Sequence, residues 1–194
     1  GPVPGCGKTR ALSVLGTVVA KPHPTSNITG PGLFRIVQRD HPTLLLDEVD
    51  PYLEGNSELR NVLNSGHERS GAATRCDGDT HSPNSYSTWA PLALAKIGNL
   101  PDTIRDRSIV IQMRRMRADE GAVEVFRSAR ARELHALNSK AKLWGKQQID
   151  RLRKAVPSLP TGLKNRAADN WRPFLSIAEL AGPEWAEKCR ELAI

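Results

Sequence analysis

The chain has 194 residues, 39% of them hydrophobic, and a mean hydropathy of −0.44, which is the composition of a globular domain with a polar surface. No apolar run approaches membrane-spanning length and the three cysteines are far apart, so we expect a cytoplasmic protein with no membrane partner and no disulfide framework. The net charge of +7 permits an acidic partner such as nucleic acid, but a solvated basic surface would give the same balance.

The first predicted element is a glycine-rich loop, GPVPGCGKTR, at residues 1–10. A loop ending in Gly-Lys-Thr binds phosphate because its backbone N–H groups converge on the anion at a helix N-terminus, while the Lys reaches the outer phosphates and the Thr hydroxyl meets Mg²⁺. The full pattern places its first glycine at position 2, where this chain has Pro2, so an ordinary loop and helix start is an equal alternative for this stretch alone. The nucleotide-binding candidates are Pro4, Gly5, Cys6, Gly7, Lys8, Thr9 and Arg10.

Helices and strands alternate after the loop. Leu12, Leu15 and Val19 recur at helical spacing, and the proline-rich stretch that follows ends this helix. The predicted elements are a helix over 8–19, a strand over 26–29, a helix over 32–39 and a strand over 43–46. This order predicts an α/β fold built on the parallel sheet of a P-loop NTPase.

Residues 43–50 read TLLLDEVD, an apolar run that ends in acids and is typical of a buried parallel strand. Its carboxylates follow the strand's carboxyl end, where open α/β sheets bind ligands. Asp47 is predicted to hold Mg²⁺ together with Thr9, and Glu48 to polarise the attacking water. A buried strand ending in a solvated acidic turn is the alternative, but the loop and the strand in this order predict a P-loop NTPase that binds ATP and Mg²⁺.

The middle of the chain predicts a helix, a hairpin and two more strands. These are a helix over 57–64, a hairpin around Asp77-Gly78-Asp79, and strands over 92–97 and 108–113. No strand precedes the phosphate loop, so we expect the supporting strand to lie upstream of residue 1, the sheet to be incomplete at its centre, and the chain to be a fragment. The ATPase core is predicted to span residues 1–116.

Residues 117–194 are predicted to form a helical lid, which couples nucleotide state to motion. Apolar residues recur at helical spacing between Arg and Lys and predict an amphipathic helix or helix pair over 118–156, ended by Pro157 and Pro160. The apolar positions are Leu134, Leu137, Ala141, Trp144, Leu152 and Val156. A further helix contains Trp171 and Leu175, with Pro173 at a kink or at its start.

Several segments, in order, resemble the domain of unknown function 3631 family. They read GPVPGCGKTR, PTLLLDEVD, ELRNVLNSGHERSGAATRC, STWAPLALAKIGNLPDTIRDRSIVIQMRR and LPTGLKNRAADNWRPFLSIAELAG. The resemblance spans nearly the whole chain, and its LNSGH, IGxLPDTxxDRSI and RAADNWRP segments are more specific than the two phosphate-site motifs. That family occurs in phage, plasmid and actinobacterial proteins beside primase-polymerase or helicase-like modules, and its architecture is similar to AAA+ and superfamily-three helicase ATPases.

The resemblance implies catalytic roles for further residues. Asn99 stands where those ATPases carry a polar sensor near the γ-phosphate, and Arg107, or else Arg105, stands at the position of an arginine finger that reaches a neighbouring subunit's nucleotide. A homo-oligomer is therefore implied. The simpler alternatives are a turn-forming Asn and a surface Arg paired with Asp102 or Asp106.

The resemblance also implies a lid residue and a nucleic-acid contact. Arg166 stands where such ATPases carry a second sensor arginine in the lid, with a helix-surface Arg as the alternative. The hairpin, with Arg75 and His81, resembles the hairpin that superfamily-three helicases direct at single-stranded DNA. A solvated hairpin is the alternative, because aromatic side chains that could stack on bases are scarce nearby.

The resulting hypothesis is an ATP-hydrolysing helicase or translocase module that acts beside a primase in replication of a mobile element. This step depends on resemblance, and similarity of fold does not establish function. Two alternatives stay open. One is a nucleotide-dependent switch or loader that does not move along DNA. The other is a non-hydrolysing scaffold, which Pro2 and the missing strand favour and the retained Lys8, Asp47 and Glu48 disfavour.

Overall fold

The computed structural model describes residues 3–77, 82–121, 126 and 128–194. Its elements are α1 (Lys8–Val18), β1 (Pro22–Thr25), α2 (Gly30–Asp40), β2 (Thr43–Leu46), α3 (Asp50–Gly55), α4 (Ser57–Ser65), β3 (Ala72–Asp77), β4 (Ser82–Ser87), β5 (Leu92–Leu94), α5 (Asp102–Arg105), α6 (Ser128–Lys154), α7 (Asn165–Ala181) and α8 (Pro183–Leu192). Within these residues no helix combines the length and apolar character that crossing a bilayer requires. The chain divides into two compact units, Gly1–Ile104 with Ile111–Lys140, and Arg105–Val110 with Ala141–Ile194.

The first unit contains a small parallel sheet with strand order β1-β2-β5, so the mixed α/β architecture predicted from the sequence is confirmed. β2 is the central strand, and its bounds are those predicted. Leu45 pairs with Pro24 on one side and Ala93 on the other. All three leucines of β2 are at most 2% exposed, which explains why this strand reads as a continuous apolar run.

The two faces of β2 are covered by different helices. Leu44 and Leu46 belong to a core that includes Phe34 of α2 and Leu59 of α4. Leu45 points to the opposite face, because successive side chains alternate along a strand. There, its Cδ1 lies 3.2 Å from where a Cβ on Gly16 of α1 would be. β2 is therefore enclosed on both faces, and its polar residues come only after it ends.

Side-chain caps fix the starts of the two helices on the Leu44 face. The Thr29 hydroxyl accepts a hydrogen bond from the Gly32 N–H at the start of α2, and the Asn56 side chain accepts one from the Leu59 N–H in the first turn of α4. Because these caps define where each helix begins, they bring Phe34 and Leu59 onto the core face.

Two strand predictions are wrong. The strand expected at 26–29 is instead β1, which lies earlier and contains two prolines; an edge strand tolerates proline because it needs hydrogen bonds on one side only. The strand expected at 108–113 does not form, and residues 109–117 have irregular backbone. In the described part of the chain β5 pairs with β2 alone, so the sheet ends at β5 there.

Several element boundaries also differ from the predictions. β5 is shorter than the strand expected over 92–97, and α3, α5 and α8 have no counterpart in the sequence-based prediction. α6 is one helix that begins at Ser128, later than the predicted start at 118. The predicted domain boundary after residue 116 stays a prediction.

The turn between α4 and β3 leaves no room for side chains at two glycines. A Cβ on Gly71 would lie 1.8 Å from the Ser65 carbonyl oxygen, and one on Gly66 would lie 2.5 Å from the Thr88 carbonyl oxygen. Thr88 is buried, its N–H donates to the Gly71 carbonyl, and its hydroxyl lies 2.9 Å from the Ser65 hydroxyl. This packing gives a structural reason for the two glycines in the LNSGHERSG segment.

We expect Gly71→Ala to destabilise the first unit by about 2 kcal/mol, because the added methyl meets backbone atoms that cannot move away without displacing Thr88. Urea denaturation followed by circular dichroism measures this. Gly55→Ala is the matched control, since a Cβ there meets nothing within 4 Å. Equal stability of the two variants would contradict the assigned packing.

The predicted hairpin is confirmed for its strands. β3 and β4 pair antiparallel, from Ala72 opposite Ser87 to Asp77 opposite Ser82. The predicted tip, with Gly78, Asp79 and His81, lies outside the described residues.

α6 is amphipathic only in part. Trp144 and Leu152 are half-buried, whereas Leu137, predicted for the same apolar stripe, is 52% exposed. In the first unit, Asn138 is buried and its Nδ2 donates to the Val19 carbonyl 2.8 Å away, after the end of α1. A buried polar side chain of α6 thus contacts the end of α1, and the apolar periodicity of the sequence did not indicate this contact.

In the second unit, α7 and α8 pack together, with Leu175 fully buried. The Glu179 Oε1 accepts hydrogen bonds from Arg190 of α8 at 2.6 Å and from the Ser158 N–H at 3.0 Å. Pro173 lies inside α7, so it does not mark the helix start.

Candidate functional site

The phosphate-loop candidate forms a tight turn into a helix. Gly5 and Gly7 have φ of +77° and +84°, a left-handed conformation that glycine adopts without the steric cost of a Cβ. α1 begins at Lys8, and no side chain in the described part of the chain caps its N-terminus. The N–H groups of its first turn are therefore available to an anion.

The Lys8 side chain turns back over this loop. Its Nζ lies 3.1 Å from the Val3 carbonyl oxygen and 3.3 Å from the Cys6 Sγ. Burial raises the pKa of the Cys6 thiol, but the hydrogen bond and charge of Lys8 outweigh it and bring the pKa below its ordinary value. The ammonium group is thus placed at the loop that is expected to receive phosphate.

Arg115 is a contact of this loop that the sequence did not reveal. Its Nε donates to the Pro4 carbonyl at 2.9 Å, and its guanidinium lies 3.6 Å from where a Cβ on Gly5 would be. Lys8, Arg10 and Arg115 form no ion pair with any carboxylate in the described residues, so the loop is electropositive. The run of arginines after residue 113 was visible in the sequence, but its partner was not.

The acidic residues form a second turn directly after β2. The Asp47 N–H donates to the Thr25 carbonyl at the end of β1, and the Asp47 Oδ1 accepts the Glu48 N–H at 3.0 Å. Glu48 is exposed and has φ of +51°, a left-handed conformation that is uncommon for a residue with a side chain. Asp47 is half-buried and Glu48 is exposed, and their roles as metal ligand and water-activating group stay predictions.

Asp50 and Lys96 form a pair that sequence reasoning missed. Lys96 follows β5, is 7% exposed, and its Nζ lies 3.1 Å from the Asp50 Oδ1. The Ile97 N–H also donates to this carboxylate. Burial raises the pKa of Asp50, but the Ile97 N–H and Lys96 bring that pKa below its usual value. The sequence signal for this pair was a lysine within the apolar stretch PLALAKIG, because a lysine in a buried segment needs an acidic partner.

The residues assigned by resemblance occupy separate places. Asn99 is exposed in the loop between β5 and α5, Arg105 ends α5 in an exposed position, and Arg107 is half-buried. Asp106, one of the acids considered as a partner for these arginines, pairs with Arg166, whose Nη1 lies 2.5 Å from the Asp106 Oδ2. The catalytic roles of Asn99, Arg105 and Arg107 and the nucleotide contact of Arg166 stay predictions.

The hairpin arginine is engaged in the fold. The Arg75 guanidinium contacts the Glu58 Oε1 at 2.6 and 3.2 Å, donates to the Thr74 carbonyl, and lies 5.5 Å from the centroid of the Phe34 ring. Arg75 therefore fastens β3 to α4 and α2. His81, the other nucleic-acid candidate, lies outside the described residues.

The match to a family model concerns the C-terminal part of the chain. Residues 112–194 match the family model described as "Protein of unknown function (DUF3631)", which supports the family assignment. An "Uncharacterized 28.9 kDa protein in xis 5'region" from Saccharopolyspora erythraea is 32% identical over 82 residues, which is 42% of this chain and 30% of that relative. The chain thus spans less than a third of that relative's length in the matched part. No solved structure matches the chain.

The lowered pKa of Asp50 makes stability depend on pH with a definite sign. Because the folded pKa lies below the ordinary value of 3.8, the stabilisation is present above that value and is lost as pH falls through the folded pKa. Urea denaturation at pH values between 2.5 and 7, an interval chosen to bracket the ordinary carboxyl pKa, should show a steeper acid loss for the wild type than for Asp50→Asn. Parallel profiles would show that Asp50 titrates alike in the folded and unfolded chains.

Proposed function

We propose that the chain is an ATP-binding and ATP-hydrolysing P-loop ATPase module of a mobile-element replication protein, acting as a helicase or translocase beside a primase. The observation that carries the nucleotide part is the loop before α1. Two glycines with positive φ lead into an uncapped helix N-terminus, and the Lys8 ammonium lies over the same turn. This arrangement fits a polyphosphate, because backbone N–H groups and a mobile cation act on one anion.

Mg²⁺ fits the oxygen donors at this site. The Thr9 hydroxyl lies in the first turn of α1 and the Asp47 carboxylate follows β2, and Mg²⁺ prefers such hard oxygen ligands, one or two from the protein and the rest from water and phosphate. The described residues contain no cluster of three His, Cys, Asp or Glu side chains that could hold a metal, so the ion would depend on the nucleotide for its remaining ligands. When bound, Mg²⁺ neutralises charge on the β- and γ-phosphates.

The chain's own side chains then carry the hydrolysis. Glu48 orients and polarises water beside the Asp47 carboxylate, and Asn99 contacts the γ-phosphate. Arg107 or Arg105 of a neighbouring subunit stabilises charge that develops in the transition state, so hydrolysis requires a homo-oligomer. A nucleotide contact of Arg166, in the helical part of the chain, stays a prediction.

A nucleotide-dependent switch or loader is the second candidate, and one observation favours it. In the described strands of the hairpin, Arg75 is the single basic residue, and Glu58 holds its guanidinium. These described strands offer little positive charge to single-stranded DNA. Strand displacement during DNA-stimulated turnover would support the helicase, whereas turnover without displacement would support the switch.

The nucleotide site is tested by Lys8→Ala and Glu48→Gln. Lys8→Ala should weaken MgATP binding by about 10-fold or more, because a charge-assisted hydrogen bond to phosphate is lost. Glu48→Gln should retain binding and lose about 100-fold or more in hydrolysis, because the amide does not accept a proton from water. Fluorescence anisotropy with a labelled ATP analogue measures binding, and phosphate release measures turnover.

Lys142→Ala, on the exposed surface of α6, is the matched lysine control and should behave as the wild type. Binding without turnover in the wild type would favour the non-hydrolysing scaffold. Absence of MgATP binding in the wild type would overturn the proposal.

Arg115→Ala tests whether nucleotide binding by the loop depends on the contact between Arg115 and Pro4. Loss of the hydrogen bond to the Pro4 carbonyl should weaken MgATP binding by about 5-fold, since one such bond contributes about 1 kcal/mol. Arg114→Ala is the matched control, because the Arg114 side chain pairs with Glu120 and not with the loop. If both variants bind MgATP equally, Arg115 does not support the phosphate loop.

A further inference from the structure

One carboxylate joins two loops at the carboxyl edge of the sheet. Asp50 lies two residues after Glu48, and Ile97 lies two residues before Asn99. The Ile97 N–H donates to both Asp50 oxygens, at 3.0 Å to Oδ1 and 3.2 Å to Oδ2. Both segments belong to the first unit and follow neighbouring parallel strands, β2 and β5. The contact therefore ties the acidic turn to the loop that carries Asn99.

Lys96 holds this carboxylate in place. Its Nζ lies 3.1 Å from the Asp50 Oδ1 and 3.3 Å from the Ile97 carbonyl oxygen, and its side chain is 5% exposed. A buried ammonium is costly unless it is paired, so Lys96 does not readily release Asp50. Asp50 is thus fixed by a charge and by a backbone donor at the same time.

Such a pair is poorly explained by stability alone. The Lys96 side chain is buried and the Asp50 side chain is 31% exposed. An ion pair recovers little more than the desolvation cost of a charge that it buries, and apolar replacements of similar size are often as stable. The pair does fix the orientation of the Asp50 carboxylate, because that carboxylate bonds both a backbone N–H and an ammonium group. It thereby determines the position of Glu48, two residues before Asp50, relative to Asn99, two residues after Ile97.

We propose that Asp50, held by Lys96, is a positioning residue for ATP hydrolysis. It holds the loop that carries Asn99 against the turn that carries Asp47 and Glu48. As a result Asn99 contacts the same γ-phosphate that is attacked by the water molecule polarised by Glu48. Misplacement of a catalytic group by about 1 Å can cost about 100-fold in rate. This inference rests on the proposed ATPase function.

A double-mutant cycle on the whole chain tests it, with Asp50→Asn, Asn99→Ala and the double variant. Each single variant should lower kcat for MgATP by about 10- to 100-fold while KM changes by less than about 3-fold. In the double variant, Asp50→Asn should lower kcat by less than about 2-fold further, because the side chain it positions is already absent. Asp50→Glu keeps the charge but moves it by one methylene, and it should fall between wild type and Asp50→Asn.

Asp150→Asn is the matched control, because Asp150 forms an exposed ion pair with Arg153 on α6, and its kcat should equal that of the wild type. Circular dichroism and MgATP affinity establish that each variant is folded. Independent, multiplicative losses in the double variant would overturn the inference, since a purely structural Asp50 acts regardless of Asn99. Full activity of Asp50→Asn would overturn it and leave the ATPase proposal intact. A wild type without turnover would overturn both.

Discussion

The enclosure of β2 on both faces is the constraint on which the first unit depends. Leu44 and Leu46 pack against α2 and α4, while Leu45 meets α1 at Gly16. Fully burying one such side chain contributes about 1.5 to 3 kcal/mol. A shift of register by one residue would carry Thr43 or Asp47 into the enclosed part of the strand, where an unpaired polar group is costly. With the register fixed, the carboxylates of Asp47 and Glu48 come after the strand ends. The same register places β5 beside β2, and with it Lys96.

Charge is separated within the first unit in a way that suits a bound polyphosphate. The loop before α1 gathers lysine and arginine side chains that have no carboxylate partner in the described residues. The acids after β2 bond backbone N–H groups or the buried Lys96. The basic groups of the loop and the acids after β2 thus have different partners within the described residues, and the anion and Mg²⁺ sites proposed for them stay predictions.

Sequence reasoning located the residues of the candidate site better than it located the contacts that hold them. The Gly-Lys-Thr signature and the acidic end of β2 are local patterns. The structure has a helix that begins at Lys8 and a strand that ends at Leu46, as predicted, while the roles of these residues stay predictions. Arg115 and Lys96 were missed because their partners, Pro4 and Asp50, lie far away along the chain. Arg75 was interpreted as a DNA contact because nothing local indicates that Glu58 holds it.

The sequence by itself determined the elements whose signal is local. β2, α1, α4 and the β3–β4 hairpin follow from apolar periodicity, side-chain caps and turn residues, which act over a few positions. Only the tertiary structure decided that the proline-containing segment 22–25 is a strand. It lies at the edge of the sheet, where the backbone N–H groups that Pro22 and Pro24 lack are not needed for pairing. It also decided that segment 108–113 is not one, although its apolar residues read locally as a strand. Pairing of distant segments depends on the whole fold, and no local pattern encodes it.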